Sequence, residues 1–151
     1  GVAAAVAAPG ELPGYHLGGA GDGPDGERLE RVAGEEGVAD RVTCLGYVPA
    51  GDLPDEYANA DVFVTMSSVE AAGITVGEAL AADTPSVVRP AKGLRDWADR
   101  AGCVAAVPSE LAAAVRMVRG QPTEPDTLTT WDGVADQLEQ EYRTLVHETG
   151  G

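Results

Sequence analysis

Residues 69–80, VEAAGITVGEAL, carry two carboxylates, Glu70 and Glu78, with seven residues between them and Gly73 near the midpoint. The chain at Gly73-Ile74-Thr75 has the composition of a helix start that follows a strand. Backbone N–H groups at such a start are unpaired and sit at the positive end of the helix dipole, so they can hold an anion. Gly73, with no Cβ, is expected to let a ligand approach the main chain. A diphosphate could then be bound by Gly73, Ile74 and Thr75 without lysine or arginine. Glu70 in the preceding loop and Glu78 one turn into the helix would flank it. Carboxylates do not bind phosphate, but they accept hydrogen bonds from hydroxyls. A ligand with hydroxyls on both sides of a diphosphate is a nucleotide sugar, ribose on one side and sugar on the other. The plainer alternative leaves Glu70 in solvent, with Glu78 merely favouring the helix N-terminus by about 0.3–1 kcal/mol.

A second loop, GAGDGPDG at residues 19–26, is rich in glycine and acid. It lacks both the G-x-G-x-x-G spacing and the Lys-Ser/Thr of a phosphate-binding loop. Asp22-Gly23-Pro24 reads first as a turn, and a ligand-lining role for Gly21, Asp22 and Gly23 stays open beside it. Cys44 and Cys103 lie far apart without metal-like spacing and read as reduced core residues. His16 and His147 are isolated, so no metal site is expected and no cofactor is implied.

The segments that must position these loops alternate regularly. YHLGGA (15–20), RVTCL (41–45), DVFVTM (61–66), PSVVR (85–89) and CVAAV (103–107) are short, apolar or β-branched, and bounded by Gly, Pro or Asp, as strands are. Between them, Leu29, Val32 and Ala33 recur at helical spacing after Asp25 and stop at Gly37. Leu53, Tyr57 and Ala58 follow a cap expected at Asp52, and Leu111, Ala114, Val115 and Val118 follow one expected at Ser109. A last helix carries an apolar stripe of Trp131, Val134, Ala135, Leu138, Tyr142, Leu145 and Val146. Strict alternation with buried-type strands predicts an α/β fold, a Rossmann-like three-layer α/β/α domain with a parallel sheet of about five strands. In such sheets ligands bind beyond the carboxyl ends of the strands, which is where both loops fall.

Charge narrows the partners. The net charge is −15, with Lys92 the one lysine against nine arginines. Excess acid with almost no lysine fits a salt-rich cytoplasm, where a Debye length of roughly 3 Å near molar salt screens self-repulsion; an ordinary acidic protein is the other reading. With no basic patch to displace counterions, nucleic acid is not expected as a partner. No apolar run is long enough for a membrane span, and VAAAVAA (2–8) reads as a helix end because it lacks the basic flank of a signal peptide.

Taken together, the segments resemble a known family. VEAAGITVGEALAADTPSVV resembles the E-x7-E segment of retaining glycosyltransferases of the GT-B fold, the large family 4 or group 1 class. GDGPDGERLERVAGEEGVADRVTCLGYVPAGDLPDEYANADVFV follows the same pattern, and TTWDGVADQLEQEYRTL resembles its closing helix. The resemblance implies that Glu70 contacts the donor sugar and Glu78 the ribose hydroxyls. By the same resemblance Gly73, Ile74 and Thr75 meet the diphosphate, and Gly46, Tyr47 and Val48 line the base pocket. It also implies transfer with retained configuration and without metal, in the cytoplasm, to an acceptor for which membrane lipid is a family habit.

Two departures limit what carries over. Ala71-Ala72 stands where the family usually has Gly-Phe. GVAAAVAAPGELPG resembles the helix that follows the family's first strand, so that strand, its Arg…Lys-Gly phosphate grip and the N-terminal acceptor domain are expected to be missing from residues 1–151. The expectation is one donor-binding domain, half of a GT-B fold, inactive alone. A non-catalytic nucleotide-binding or subunit-interaction module is the alternative, and a ligand-free flavodoxin-like domain is a third. The missing strand would be central in the order 3-2-1-4-5-6. The remaining five are expected to close up as 2-1-3-4-5, with filling of the gap by another chain as the alternative.

Overall fold

The computed structural model describes residues 2–23 and 26–149. The five expected strands form as β1 (Leu17–Ala20), β2 (Val42–Gly46), β3 (Phe63–Thr65), β4 (Ser86–Val88) and β5 (Cys103–Ala105). The helices are α1 (Val2–Glu11), α2 (Gly26–Glu35), α3 (Leu53–Ala58), α4 (Ile74–Ala81), α5 (Leu111–Val118) and α6 (Trp131–Thr149). Every strand pairing is parallel. The α/β class with parallel strands is therefore the observed one. β4 lies between β3 and β5 with all three of its residues buried, the pattern of a strand covered on both faces.

The strands do not form one sheet. β1 pairs with β2, and β3, β4 and β5 make a second ladder, with no pairing between β1 and β3 among the described residues. The expected closure to 2-1-3-4-5 is thus corrected, and α1 supplies a physical reason. Val6 on α1 packs with Ala33 and Val38, against Leu17 and Val42 of the first ladder. Ala8 and Leu12 pack with Met66, Val87 and Val115 in the core of the second. One helix is shared by two cores, and bringing β1 to the roughly 4.8 Å spacing of a paired strand would require those cores to merge beneath it. The carbonyls at the end of α1, unpaired within the helix, are taken up from both sides. Arg41, just before β2, donates to the carbonyls of Pro9 and Leu12, and Arg116 on α5 donates to that of Glu11.

Three local expectations also change. Asp52 sits in right-handed helical geometry and makes no side-chain cap, and Pro54, two residues on, has no N–H for a cap to accept. Ser109 lies inside a 3-10 turn, Pro108–Glu110, that runs straight into α5, so it does not cap either. Cys103 is buried, but Cys44 on β2 is exposed and is not a core residue. On α6, Ala135, Leu138 and Tyr142 face solvent and only Val134 is half-buried, so the described part of the expected stripe is largely unpacked. The side chains of Trp131, Leu145 and Val146 lie outside the described residues, as do Pro24 and Asp25 of the expected turn and helix start. No helix among the described residues is long and apolar enough to cross a membrane.

Candidate functional site

The segment from β3 to α4 is built as a rigid exit from the sheet. Met66 is buried just past the strand, and Ser67 Oγ donates to the Val69 carbonyl at 2.8 Å, tightening the turn that follows. Glu70 folds back on its own loop, its Oε1 accepting the Ala71 N–H at 2.9 Å. Gly73 then takes φ +65° and α4 begins. The side chains of Ile74 and Thr75 are exposed, and their N–H groups have no hydrogen-bond partner among the described residues. The first turn of α4 therefore presents open donors, as expected.

Gly73 itself departs from expectation. It is buried, and a Cβ there would lie 2.7 Å from Trp97 Nε1 and 3.0 Å from both the Gly93 carbonyl and a Leu94 methyl. Its missing side chain makes room for the protein's own packing, not for a ligand. The indole N–H of Trp97 donates to the Ala72 carbonyl at 2.8 Å, and one helical turn on, a Cβ at Gly77 would meet the same ring at 2.7 Å. Gly73 and Gly77 thus form a flat strip on α4 against which Trp97 lies. Opposite, Gly93 at φ +84° abuts the loop so closely that a Cβ would overlap the Glu70 carbonyl oxygen and lie 2.8 Å from that of Ala71. The loop carrying Glu70 is held by contacts from residues 93–97.

Glu78 faces away from that clamp, toward α3. Its carboxylate is exposed, and Oε2 accepts a hydrogen bond from Tyr57 Oη at 3.0 Å. The phenol is pushed up to about 12 by burial first, then by the hydrogen bond to Glu78 and its negative charge. At neutral pH it is a firm donor.

The other sequence-derived residues gather on the first ladder. The Gly21 N–H donates to the Gly46 carbonyl at 2.7 Å, so the loops leaving β1 and β2 meet there. Asp22, Gly23 and Tyr47 are exposed and Val48 is half-buried. The structure thus groups Gly21 with Gly46 on one ladder, and Glu70, Gly73, Ile74, Thr75 and Glu78 around the start of α4 on the other. Tyr57, Trp97, Gly77 and Gly93 were missed by sequence reasoning. Gly77, a helix-breaking residue one turn after Gly73, was the signal for a close-packed neighbour.

The profile of the family described as "Glycosyl transferases group 1" matches residues 3–119. The chain belongs to the group 1 glycosyltransferases. Over 131 residues this group 1 chain is 31% identical to D-inositol 3-phosphate glycosyltransferase of Thermomonospora curvata, a match covering 77% of it and 30% of that relative. Over 58 residues it is 48% identical to mannosylfructose-phosphate synthase of Agrobacterium fabrum, covering 38% of this chain and 13% of the other. Sucrose-phosphate synthase from Thermosynechococcus elongatus superposes with a TM-score of 0.77 at 26% identity, over 98% of this chain and 43% of that one. AviGT4, a glycosyltransferase involved in avilamycin A biosynthesis, shares the fold with a TM-score of 0.72 at 21% identity, over 98% of this chain and 48% of that one. The group 1 chain thus spans less than half the length of each protein it matches here.

Proposed function

We propose that residues 1–151 form the donor-binding half of a retaining glycosyltransferase, a single domain that holds a nucleotide-diphosphate sugar while a separate acceptor domain supplies the facing wall. The observation that carries this reading is the open first turn of α4, with the free N–H groups of Ile74 and Thr75 set between two carboxylates. The diphosphate lies at that turn, where N–H groups and the helix dipole take up the charge that develops as the bond from the anomeric carbon to the diphosphate oxygen breaks. Glu78 accepts the ribose hydroxyls and Glu70 those of the sugar. Gly46, Tyr47 and Val48 border the base, with Gly21, Asp22 and Gly23 beside them. The sugar then bonds to an acceptor hydroxyl bound by the other domain, so the isolated half is inactive in transfer. Binding through main-chain N–H groups suits a chain of net charge −15 with one lysine, and a salt-rich cytoplasm suits its acidic surface.

Thermal unfolding in multimolar KCl, with UDP, GDP, ADP and their sugars added in turn, tests this. A ligand that binds only the folded state adds about 2.7 kcal/mol at one hundred times its Kd. The expected result is stabilisation with one base, abolished by Glu78→Ala. In Glu70→Ala it weakens more for the nucleotide sugar than for the bare nucleotide. Cooperative unfolding that shifts with none of these ligands overturns the reading.

A further inference from the structure

Glu78 is an exposed side chain with three rotatable bonds, yet it is held by a partner that is itself immobile. Tyr57 is 8% exposed and fixed at three points. Its main-chain carbonyl accepts from the buried hydroxyl of Thr84 at 2.7 Å. Its ring stands edge-on to Phe63 of β3, with centroids 5.5 Å apart and planes at 83°. Its hydroxyl reaches Glu78 Oε2 at 3.0 Å. Oε1 of the same carboxylate has no partner among the described residues. One oxygen is anchored to the core and the other is left as an acceptor facing outward.

We infer that Tyr57 is a positioning residue that sets Glu78 for bidentate or single acceptance of ribose hydroxyls, so that the α3–α4 contact makes the site selective for ribonucleotides over deoxyribonucleotides. This rests on the reading of Glu78 given under Proposed function. The phenol touches no ligand; it acts by removing rotamer freedom that Glu78 would otherwise lose on binding. Because the phenol donates to Oε2, it leaves Oε1 open to accept, which is what hydroxyl donors require.

The test is calorimetric titration of the 151-residue chain in multimolar KCl with the nucleoside diphosphate that stabilises it among UDP, GDP and ADP, and with that nucleotide's 2′-deoxy and 3′-deoxy forms. Tyr57→Phe keeps the ring against Phe63 and deletes only the oxygen. Expected is about three- to tenfold weaker binding of the ribonucleotide, unchanged binding of the deoxy form whose missing hydroxyl Glu78 would have met, and no further loss when Tyr57→Phe is added to Glu78→Gln. Incorporating 3-fluorotyrosine at position 57 retains ring and donor and should restore both affinity and selectivity. If Tyr57→Phe proves unstable, 4-fluorophenylalanine at position 57, which fills the space of the hydroxyl without a donor, decides the matter by the same readout. Equal weakening of ribo and deoxy forms, or wild-type affinity in Tyr57→Phe, overturns the role of Tyr57. If that happens while Glu78→Gln still abolishes selectivity, the nucleotide site stands without it. Absence of binding by the wild-type chain overturns this inference and the site assignment together.

Discussion

The two ladders of this domain are organised by opposite means. β1 and β2 are thin and open. Apart from Leu17, Val42 and Gly46 their residues are exposed, and their core is little more than Val6, Ala33 and Val38. The second ladder buries β4 completely, and the loop leaving β3 is locked by an indole and by glycines that permit backbone contact. Precision is invested where charge would have to be stabilised at fixed positions, around α4. The first ladder carries loops whose proposed partner, a base, is held by surface and shape. A site assembled from both halves would pair a rigid anion cradle with a compliant edge.

The sharpest break of this contrast comes from glycine. Gly93→Ala forces a Cβ into the carbonyls of Glu70 and Ala71 at a positive φ. It should cost about 3 kcal/mol or more in denaturant unfolding. Gly19→Ala on β1, whose Cβ would have no neighbour nearer than 3.9 Å, should stay within about 0.5 kcal/mol. Next in size, Leu80→Ala, at 2% exposure where α4 packs with Val88 of β4, Leu94 and Cys103, should cost about 2–4 kcal/mol. Leu45→Ala on β2, 41% exposed, should cost about 1 kcal/mol or less. If the two leucines prove equal, the ladders are not so different in kind.

Smaller effects separate packing from hydrogen bonding. Trp97→Phe keeps a ring against Gly73 and Gly77 but drops the donor to the Ala72 carbonyl, a loss of about 1 kcal/mol, and nucleotide affinity should fall with it if that carbonyl fixes the loop. The cysteines report the contrast without mutation. Exposed Cys44 should alkylate in the native state, whereas buried Cys103, pushed up to about 11, should react only on unfolding. Burial also raises Tyr57 to about 12. Both groups hold their protons more tightly folded than unfolded. Their contribution is complete below their ordinary values and fades as pH rises, between about 9 and 11 for the thiol and 10 and 12 for the phenol. Stability should therefore fall on the alkaline side, less steeply in Cys103→Ser and Tyr57→Phe.

Element order was legible because each strand and helix is announced locally, by apolar runs between Gly, Pro and Asp and by periods such as Leu111, Ala114, Val115 and Val118. The helix start at Ile74 and the place of Glu70 and Glu78 around it were readable for the same reason. What escaped was contact between distant residues. Gly73 looks like an opening for a ligand until Trp97, twenty-four positions on, is found in the space. Asp52 looks like a cap until its helical geometry and the missing N–H of Pro54 are seen, and Ser109 until it is found inside a 3-10 turn. Cys44 is as apolar as its neighbours, and only the thinness of the first ladder exposes it. The separation of β1 from β3 depends on how one helix divides its faces, which no local pattern encodes.

That helix sets a clock. α1 is made well before α5, and the Arg116 contact to the Glu11 carbonyl closes across 105 residues. At about 5–20 residues per second of synthesis, Ala8 and Leu12 wait roughly 5–20 s for their partners on α5, while Val6 can dock on Ala33 and Val38 much sooner. The nascent chain thus passes through a stage in which one side of α1 is settled and the other is bare apolar surface. In that interval a chaperone or a neighbouring chain competes with the second ladder for the same stripe.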